Sequence, residues 1–384
     1  MIFEIAKKIV NHNYQKVLKR LKAKEKINVV FLVSENQKWA YQSVFEELCK
    51  NNKINVKILI SYPKDLKLNE NEKEAFLHKN FEFYSKIDKN AEFIYKNNNY
   101  ISLKKFRPDI VFYEQQWGLP RKYKPYMVSF YALTYFSCYG MQMFDFKEDY
   151  TKTFHYFLYR YLLDSKENFL RFKKYNKNFT KNCIVTGYPK LDYYLDKKEK
   201  NKNSKPVVIY APHHSFDSRL NTSTFNQNGE FILSVATKTK DKINWIFKPH
   251  PRLKKSLIEN NFYSKKQIDD YYQKWAKVGT VFDFGNYFDI FYFSDILITD
   301  CCSFLGEYYY TNNYLIRLVN KNAIELNDFG KTITKNYFCV FNNTEIEETL
   351  EKLLQIKNQN HKTNSKPKNK ASKTIVNSIF KDFK

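Results

Sequence analysis

Several elements that define common enzyme classes are missing from this sequence. It contains no Gly-x-Ser-x-Gly element, no P-loop and no Gly-x-Gly-x-x-Gly element. These absences argue against an α/β-hydrolase, a P-loop NTPase and a classical dinucleotide-binding enzyme. The six cysteines form no Cys-x-x-Cys pair and no Cys/His group with zinc spacing. We therefore expect reduced thiols, as in cytosolic proteins, and no structural zinc site.

Long apolar runs are also absent. No stretch approaches the roughly 20 apolar residues that span a membrane. The first segment, MIFEIAKKIVNHNYQKVLKRLK, lacks the apolar stretch and the small-residue cleavage site of a signal peptide. We expect a cytoplasmic protein in which any membrane contact is peripheral, at the inner face of the cytoplasmic membrane.

Positive charge is in excess, with 65 Lys and Arg against 40 Asp and Glu, a net charge of +25. This balance indicates an anionic partner such as nucleic acid, an acidic membrane surface or a phosphorylated substrate. Lysines that only fill solvated faces explain it equally well. No RNA- or DNA-specific motif is present, and the aromatic residues follow buried periodicity, so we expect no nucleic-acid partner.

The pattern of the first half predicts a parallel α/β domain. Predicted helices cover the first segment, Gln37–Lys50 and Thr151–Phe172. Predicted strands are Ile27–Val33, Val56–Ile60, Asp109–Tyr113, Tyr126–Phe130 and Cys183–Val185. Within the third helix, Phe154–Leu163 combines aromatic residues with Arg160. A core helix is the favoured interpretation of this segment, and a helix resting on an anionic bilayer is the alternative.

The second half repeats the α/β pattern after a lysine-rich linker, Lys197–Lys205. Predicted strands are Val207–Tyr210, Asn244–Phe247, Ile296–Thr299 and Tyr314–Val319. Predicted helices are Gly229–Lys240, Glu345–Ile356 and Thr374–Phe380. A polar stretch at Lys357–Lys373 precedes the last of these helices. The fold class is thus α/β with two Rossmann-like domains, 1–196 and 205–356, facing a cleft, and with a linker and helix at 357–384.

Three predicted strand ends in the second domain carry polar, potentially chemical residues. The segment SDILITDCCSFLGEYYY ends a strand at Asp300 and opens a helix near Ser303, where backbone N–H groups favour an anion. In NWIFKPHPR, two prolines hold His250 between Lys248 and Arg252. In VVIYAPHHS, His213 and His214 follow a strand. Cationic and imidazole groups beside a helix start are suited to neutralise a leaving diphosphate.

Each of these residues also has a purely structural interpretation. Ser303 can be an N-cap, Asp300 a turn residue, and a histidine the partner of a neighbouring carbonyl. No Asp-x-Asp metal motif accompanies the strands, and Asp269-Asp270 lies in a helical run, so we expect no metal and no cofactor. Adjacent cysteines strain a disulfide and no base motif accompanies them, so a nucleophile or redox pair is disfavoured.

These segments together resemble the CDP-glycerol glycerophosphotransferase family of teichoic-acid and capsule assembly. KPHP at Lys248–Pro251 and SDILITDCCS at Ser294–Ser303 look like the paired donor-site motifs of that family. TGYPKLDYYL at Thr186–Leu195 is similar to its Gly-x-Pro-Arg-x-Asp segment, and APHHS to the loop that opens its second domain. The resemblance is strong over about Thr186–Asn320.

The resemblance implies a glycosyltransferase-B architecture and transfer of glycerol phosphate from a CDP-linked donor, with release of CMP. It implies that His250 and Ser303 contact the donor diphosphate. From the residue pattern together with the resemblance, we predict catalytic roles for His250, His213 and His214. We also predict a donor-diphosphate site at Lys248, Arg252, Asp300, Cys302, Ser303 and Glu307. The acceptor would be a lipid-linked or polymeric glycan precursor of the cell envelope, and a basic surface would favour an anionic inner-membrane surface.

Two departures from the family pattern leave alternatives open. Cys301 and Cys302 stand where the family usually has Tyr and Ser. The first-domain Trp-His-Gly-Thr-Pro segment is replaced by Gln115-Gln116-Trp117-Gly118-Leu119-Pro120, without histidine. Either His213, His214 or Glu114 replaces that base, with Glu114, Gln116 and Trp117 on the acceptor side, or another base or donor is used. A nucleotide-sugar glycosyltransferase of the same fold is the competing enzyme class, and a basic nucleic-acid-binding protein is the competing function of another class.

Overall fold

The computed structural model describes residues 2–177, 179–195, 205–217, 219–283, 285–356 and 369–383. The chain divides into two compact units. The first comprises the described residues up to Gly140, Lys147–Tyr193 and the C-terminal helix, and the second comprises Met141–Phe146 and the described residues between Tyr194 and Ile356. Each unit is built on one parallel sheet.

The first unit contains nine strands and nine α-helices among its described residues, besides four short 3₁₀ helices. The strands are β1 (Ile27–Val33), β2 (Ile54–Ile60), β3 (Glu92–Phe93), β4 (Tyr95–Lys96), β5 (Asn99–Tyr100), β6 (Ile110–Tyr113), β7 (Leu133–Ser137), β8 (Arg160–Leu163) and β9 (Cys183–Val185). The helices are α1 (Ile2–Lys22), α2 (Gln42–Cys49), α3 (Glu70–Ile87), α4 (Pro125–Val128), α5 (Lys147–Tyr150), α6 (Thr153–Tyr156), α7 (Lys166–Tyr175), α8 (Asp192–Leu195), where the chain passes to the second unit, and the C-terminal helix α16 (Ala371–Phe383).

The second unit contains six strands and seven α-helices among its described residues, besides one short 3₁₀ helix. The strands are β10 (Val207–Ala211), β11 (Asn244–Phe247), β12 (Thr280–Val281), β13 (Ile296–Thr299), β14 (Tyr314–Leu318) and β15 (Phe338–Val340). The helices are α9 (Phe225–Thr239), α10 (Leu253–Glu259), α11 (Lys265–Val278), α12 (Phe288–Phe293), α13 (Cys302–Tyr309), α14 (Asp328–Ile333) and α15 (Asn343–Gln355).

Both main sheets are fully parallel. Their strand orders are β3-β2-β1-β6-β7-β8-β9 and β12-β11-β10-β13-β14-β15, and β4 and β5 form a separate antiparallel pair. The strands read as continuous apolar runs because both faces of a parallel sheet are covered. In β1, Phe31 packs into one core and Leu32 into the core on the opposite face. The α/β class and the two Rossmann-like units predicted from the sequence are confirmed.

Two predicted elements of the first unit are wrong. Tyr126–Phe130 is not a strand: Pro125 occupies the first position of the short helix α4, and the strand is β7. Thr151–Phe172 is not one helix, since β8 lies between α6 and α7 and pairs with β7 and β9. Short apolar runs do not distinguish a strand from a helix, so the sheet neighbours decide.

The predicted bilayer-facing segment is therefore largely core. Tyr161, Leu162 and Leu163 of β8 are buried, and the Nε of Arg160 donates to Asp382 of α16 at 3.1 Å. A buried strand of a parallel sheet offers no helix face to a membrane, which overturns that alternative. Among the described residues, no helix is both long enough and apolar enough to cross a bilayer.

The units depart from the predicted domain ranges in two places. Helix α16 belongs to the first unit, where the carboxylate of Asp192 accepts the backbone N–H groups of Ala371 at 2.7 Å and Ser372 at 2.8 Å. The short segment Met141–Phe146 belongs to the second unit, where the backbone N–H of Asp145 donates to Glu325 at 3.0 Å. The predicted linkers fall mostly at 196–204 and 357–368, outside the described residues.

Candidate active site

The predicted site loops meet at one edge of the second sheet. Strand β10 pairs with β11 on one side and with β13 on the other, all parallel. The carboxyl ends of these three adjacent strands therefore share one edge, which is the usual place for a ligand in an open α/β sheet. The His213 loop follows β10, the His250 loop follows β11, and the turn into α13 follows β13.

His213, His214 and His250 form a compact cluster at this edge. The ring centroids of His214 and His250 lie 4.0 Å apart, those of His213 and His214 4.5 Å, and those of His213 and His250 5.0 Å. The loops are fixed by backbone hydrogen bonds, including one from the N–H of His250 to the carbonyl of Pro212 at 3.0 Å. The structure thus brings the three predicted catalytic histidines together.

Backbone amides set the tautomer of two of these rings. The N–H of Ser215 donates to Nδ1 of His213 at 3.2 Å, and the N–H of Arg252 donates to Nδ1 of His250 at 3.1 Å. An Nδ1 that accepts a hydrogen bond carries no proton, so in the neutral ring the proton lies on Nε2. Both imidazoles are therefore hydrogen-bond donors through Nε2, as an anion requires.

Burial keeps all three rings uncharged at neutral pH. It lowers the pKa of His213 to about 3 and that of His214 to about 4, where the nearby charge of Arg252 acts in the same direction. Burial also lowers the pKa of His250 well below its ordinary value, with His213 as a further cause. Desolvation disfavours the imidazolium form until a counter-charge arrives.

Three histidines at this spacing also form a possible transition-metal site. One ring nitrogen of each lies within 4.8 Å of those of the other two. A neutral histidine that binds a metal through Nε2 must carry its proton on Nδ1. The amides of Ser215 and Arg252 point at Nδ1 of His213 and His250 and oppose that arrangement. The donor set fits an anion better than a metal ion.

Both carboxylate oxygens of Asp300 accept hydrogen bonds from neighbouring loops. Its Oδ1 accepts the N–H of His213 at 2.6 Å, and its Oδ2 accepts the N–H of Thr224 at 2.6 Å and the Thr224 hydroxyl at 3.0 Å. Burial nevertheless raises the pKa of Asp300 to about 6. The side chain joins the end of β13 to the His213 loop and to the start of α9.

The helix start predicted at Ser303 lies where the sequence placed it. Helix α13 begins at Cys302, and the N–H of Cys301 donates to the Thr299 hydroxyl at 2.9 Å. The Ser303 hydroxyl lies 3.8 Å from the Cys301 sulfur. Burial raises the pKa of Cys301 to about 12 and that of Cys302 well above its ordinary value. Both are thiols at neutral pH, so neither is an activated nucleophile.

Lys248 connects the β11 loop to α13. Its ammonium lies 4.6 Å from the ring centroid of Tyr287 and 4.9 Å from that of Phe304, the residue after Ser303. The Tyr287 hydroxyl donates to Oε2 of Glu307 at 2.6 Å. Lys248 is buried and Glu307 is completely buried. The positive charge is thus held at the start of α13 against aromatic faces.

The first-unit candidates do not form a comparable centre. Glu114 is 1% exposed, and its carboxylate accepts the N–H groups of Ser34 at 2.7 Å and Glu35 at 2.9 Å as well as the Tyr84 hydroxyl. Burial raises the pKa of Glu114 to about 7. With both oxygens occupied, this carboxylate anchors the loop after β1 and is poorly placed to act as a base.

Gln116 and Trp117 occupy a more open part of the first unit. Oε1 of Gln116 is buried and has no hydrogen-bond partner among the described residues. The Trp117 ring lies 4.8 Å from the ammonium of Lys38 and packs edge-on against Tyr139 at 5.9 Å. An unsatisfied amide beside an aromatic ring and a cation remains a reasonable acceptor-side candidate.

Sequence reasoning missed the residues that support the histidines. The Thr222 hydroxyl lies 3.0 Å from Nδ1 of His213, and the Ser223 hydroxyl donates to the His213 carbonyl at 2.8 Å. The hydroxyl-rich run Asn221-Thr222-Ser223-Thr224 before α9 was the available signal, because such runs commonly precede helices. No pattern in the sequence around Tyr287 indicated a role at this site.

Comparison with known protein families finds a match over the segment that contains these loops. A model of the family "CDP-Glycerol:Poly(glycerophosphate) glycerophosphotransferase" matches residues 153–319, which include the three strand-end loops. No curated protein sequence matches the chain. The resemblance predicted from the motifs is therefore confirmed by the family model over the segment that carries them.

Solved structures similar to this chain agree on the fold. The UDP-GlcNAc 2-epimerase from Neisseria meningitidis bound to UDP-GlcNAc has a TM-score of 0.60 at 15% identity, over 92% of this chain and 100% of that one. A putative UDP-N-acetylglucosamine 2-epimerase from Listeria monocytogenes has a TM-score of 0.61 at 11% identity, over 93% and 97%.

A third similar structure is a variant of the wall teichoic acid polymerase TagF. It has a TM-score of 0.54 at 13% identity, over 96% of this chain and 92% of that one. At such identities the likeness shows the fold, which is the glycosyltransferase-B architecture expected from the sequence. Over residues 153–319 the chain is therefore similar to the CDP-glycerol glycerophosphotransferase family, and it shares the fold of TagF.

Proposed function

We propose that this enzyme transfers a glycerol-phosphate or related polyol-phosphate group from a CDP-linked donor to a hydroxyl of a surface-glycan precursor, releasing CMP. The observation that carries the proposal is the paired Nε2–H tautomer of His213 and His250, set by the amides of Ser215 and Arg252. Two neutral donors, with Lys248 at the start of α13, provide a site for a diphosphate that needs no metal or cofactor.

The donor site is assigned from these contacts. Nε2 of His213 and of His250 donate to phosphate oxygens, and the Lys248 ammonium neutralises charge beside the α13 amides and the Ser303 hydroxyl. The guanidinium of Arg252 belongs to an exposed residue at the rim and meets the donor there. Asp300 and Glu307 hold the loops and contact phosphate less directly than the sequence suggested.

The reaction is an in-line displacement at phosphorus. The acceptor oxygen forms a bond to the phosphorus that bears glycerol, and the bond from that phosphorus to the bridging oxygen breaks. CMP leaves with the electron pair. We assign the acceptor proton to His214, because loop amides already occupy Nδ1 of His213 and His250. The anionic donor would raise the pKa of His214 from the value of about 4 that burial gives it.

The acceptor is proposed to be a lipid-linked or polymeric glycan of the cell envelope, as in capsule or teichoic-acid assembly. The net charge of +25 supports a peripheral location at an anionic inner-membrane surface. Gln116 and Trp117 of the first unit stay the candidates for the acceptor side. These assignments go beyond the family match and rest on the chemistry of the side chains.

A donor screen tests the proposal. Purified enzyme is incubated with CDP-glycerol, CDP-ribitol, a CMP-sugar and UDP-sugars, with an envelope lipid extract as the source of acceptor, and the released nucleotide is quantified. CMP release from a CDP-polyol supports the proposal. Nucleotide release from a sugar donor alone overturns it in favour of a glycosyltransferase.

A further inference from the structure

A pocket separate from the histidine cluster lies beside it in the same unit. It has a volume of about 190 Å³ and opens at the first turn of α9. The loop after β10, the segment between α10 and α11, and the loop after β14 complete its wall. Nothing in the proposed transfer reaction uses this pocket.

The lining of this pocket is uncharged. Five of the nine lining residues carry side-chain amides, namely Asn221, Asn226, Gln227, Asn320 and Asn322, and the others are Ser, Thr and Phe. Charged residues make up 27% of the whole chain, so their absence from this lining is a distinguishing feature. A wall of amides and hydroxyls offers donors and acceptors to a neutral ligand and no compensation to an anion.

Some of these amides build the wall while others are available to a ligand. Nδ2 of Asn320 donates to the Ser223 carbonyl at 3.3 Å and approaches Oδ1 of Asn221 at 3.5 Å, which ties the two rim loops together. The exposed side chains of Asn226, Gln227 and Asn322 make no hydrogen bond within the described residues. Their donor and acceptor groups face solvent beside the cavity.

An aromatic surface completes the pocket. Phe262 is 47% exposed, and its ring packs against Phe216 with a centroid distance of 5.1 Å and an interplanar angle of 58°. Tilted rings in contact leave no parallel slot between them for a nucleobase. One open aromatic face beside several amides is suited to the C–H face and the hydroxyl groups of a sugar.

We infer that this pocket binds a neutral polyhydroxylated unit, a sugar or polyol. The wall residues Ser223 and Thr224 bond directly to His213 and Asp300, at 2.8 Å from the Ser223 hydroxyl to the His213 carbonyl and 2.6 Å from the Thr224 N–H to Asp300. A ligand here lies next to the diphosphate site. The assignment of this ligand as a unit of the acceptor glycan rests on the proposed function. The binding of a sugar or polyol in the pocket does not depend on that function.

Ligand-observed NMR tests the inference without any turnover. Saturation transfer is measured from the full-length protein to glycerol, to methyl glycosides of glucose, galactose and N-acetylglucosamine, to cytidine and, by ³¹P detection, to inorganic phosphate. The Asn226→Ala/Gln227→Ala double variant is compared with Gln273→Ala, which removes an exposed amide from α11 of the same unit. Affinity for the bound glycoside or polyol should fall about tenfold or more in the double variant only.

The outcomes separate this inference from the proposed function. Saturation transfer to a glycoside or to glycerol that is lost in the double variant and kept in Gln273→Ala supports a sugar or polyol site in this pocket. Saturation transfer to cytidine or phosphate alone, no saturation transfer to any probe, or equal saturation transfer in both variants overturns it. CMP release from a CDP-polyol is measured on the same preparations, and a failure there affects the transferase proposal and leaves sugar binding standing.

Discussion

Oδ1 of Asp300 accepts the backbone N–H of His213 at 2.6 Å. Asp300 directly follows β13 and His213 follows β10, so this bond joins two of the three loops that build the candidate site. The acidic residue of the family-like motif therefore holds the histidine loop in place, and we propose that the histidines and the lysine provide the chemistry. The predictions below separate these structural and chemical roles.

Replacing Asp300 should destabilise the second unit. Asp300→Asn keeps the shape, but its Nδ2 would face the N–H and hydroxyl donors of Thr224 or the N–H of His213. An unsatisfied buried donor costs about 1–3 kcal/mol. Urea unfolding followed by fluorescence measures the change, with the exposed Asp241→Asn as the control. An unchanged midpoint would show that the carboxylate is not a structural anchor.

Removing the His250 imidazole should abolish most turnover without unfolding the protein. The ring is predicted to donate Nε2–H to the donor diphosphate, and loss of one such donor typically costs about 10²–10³ in rate. The kcat/KM for CMP release from the best donor is compared for His250→Ala and for His78→Ala, which changes a solvent-exposed imidazole of α3. Full activity with His250→Ala would exclude His250 from the chemistry.

His214 should make the second unit sensitive to acid. Its pKa is lowered from 6.5 to about 4 by burial, so between these pH values the unfolded chain binds a proton that the folded protein does not. The free energy of unfolding therefore falls as pH decreases from 6.5 to 4. His214→Gln should show a shallower fall.

Asp300 acts in the opposite direction, because its raised pKa of about 6 favours the folded protein on acidification through that range. The wild type and His214→Gln both contain Asp300, so the difference between their profiles of unfolding free energy against pH isolates the contribution of His214. His78→Gln, at an exposed site, serves as the control. Parallel profiles for the wild type and His214→Gln would contradict the lowered pKa.

The adjacent cysteines should be chemically inert. Cys49 and Cys339 are exposed, whereas Cys301 is buried, and burial raises the pKa of Cys301 and Cys302. Iodoacetamide at neutral pH should modify Cys49 and Cys339 first, because these two thiols are exposed, although burial and nearby carboxylates also raise the pKa of Cys49. Peptide mass spectrometry over time measures the order. Rapid modification of Cys302 in the folded protein would indicate an activated thiolate instead.

Glu114 should prove dispensable for proton transfer. Glu114→Gln keeps an oxygen for the N–H groups of Ser34 and Glu35, and its amide nitrogen can donate to the Tyr84 hydroxyl oxygen. We expect turnover close to that of the wild type. Glu114→Ala leaves those N–H groups unpaired and should lower stability by about 1–3 kcal/mol. Loss of turnover in a stable Glu114→Gln protein would make Glu114 the general base.

Much of the site could be predicted because it lies at the ends of strongly apolar strands. Ile27–Val33, Asn244–Phe247 and Ile296–Thr299 coincide with β1, β11 and β13. In a parallel sheet the residues that follow such strands collect at one edge. The clustering of His213, His250 and the α13 start could therefore be predicted from the local pattern. Strand β8 was missed because a short apolar run inside an aromatic-rich segment does not distinguish a strand from a helix.

The sequence by itself determined the apolar strands, the loops that carry His213, His250 and Ser303, and hence the kind of chemistry available. Only the tertiary structure decided the tautomers and the protonation of His213 and His250. The amides of Ser215 and Arg252 and the extent of burial set the tautomers and lower the pKa values. The physical reason is that strand formation depends on nearby side chains, while desolvation and hydrogen-bond direction depend on how all the loops at that sheet edge pack.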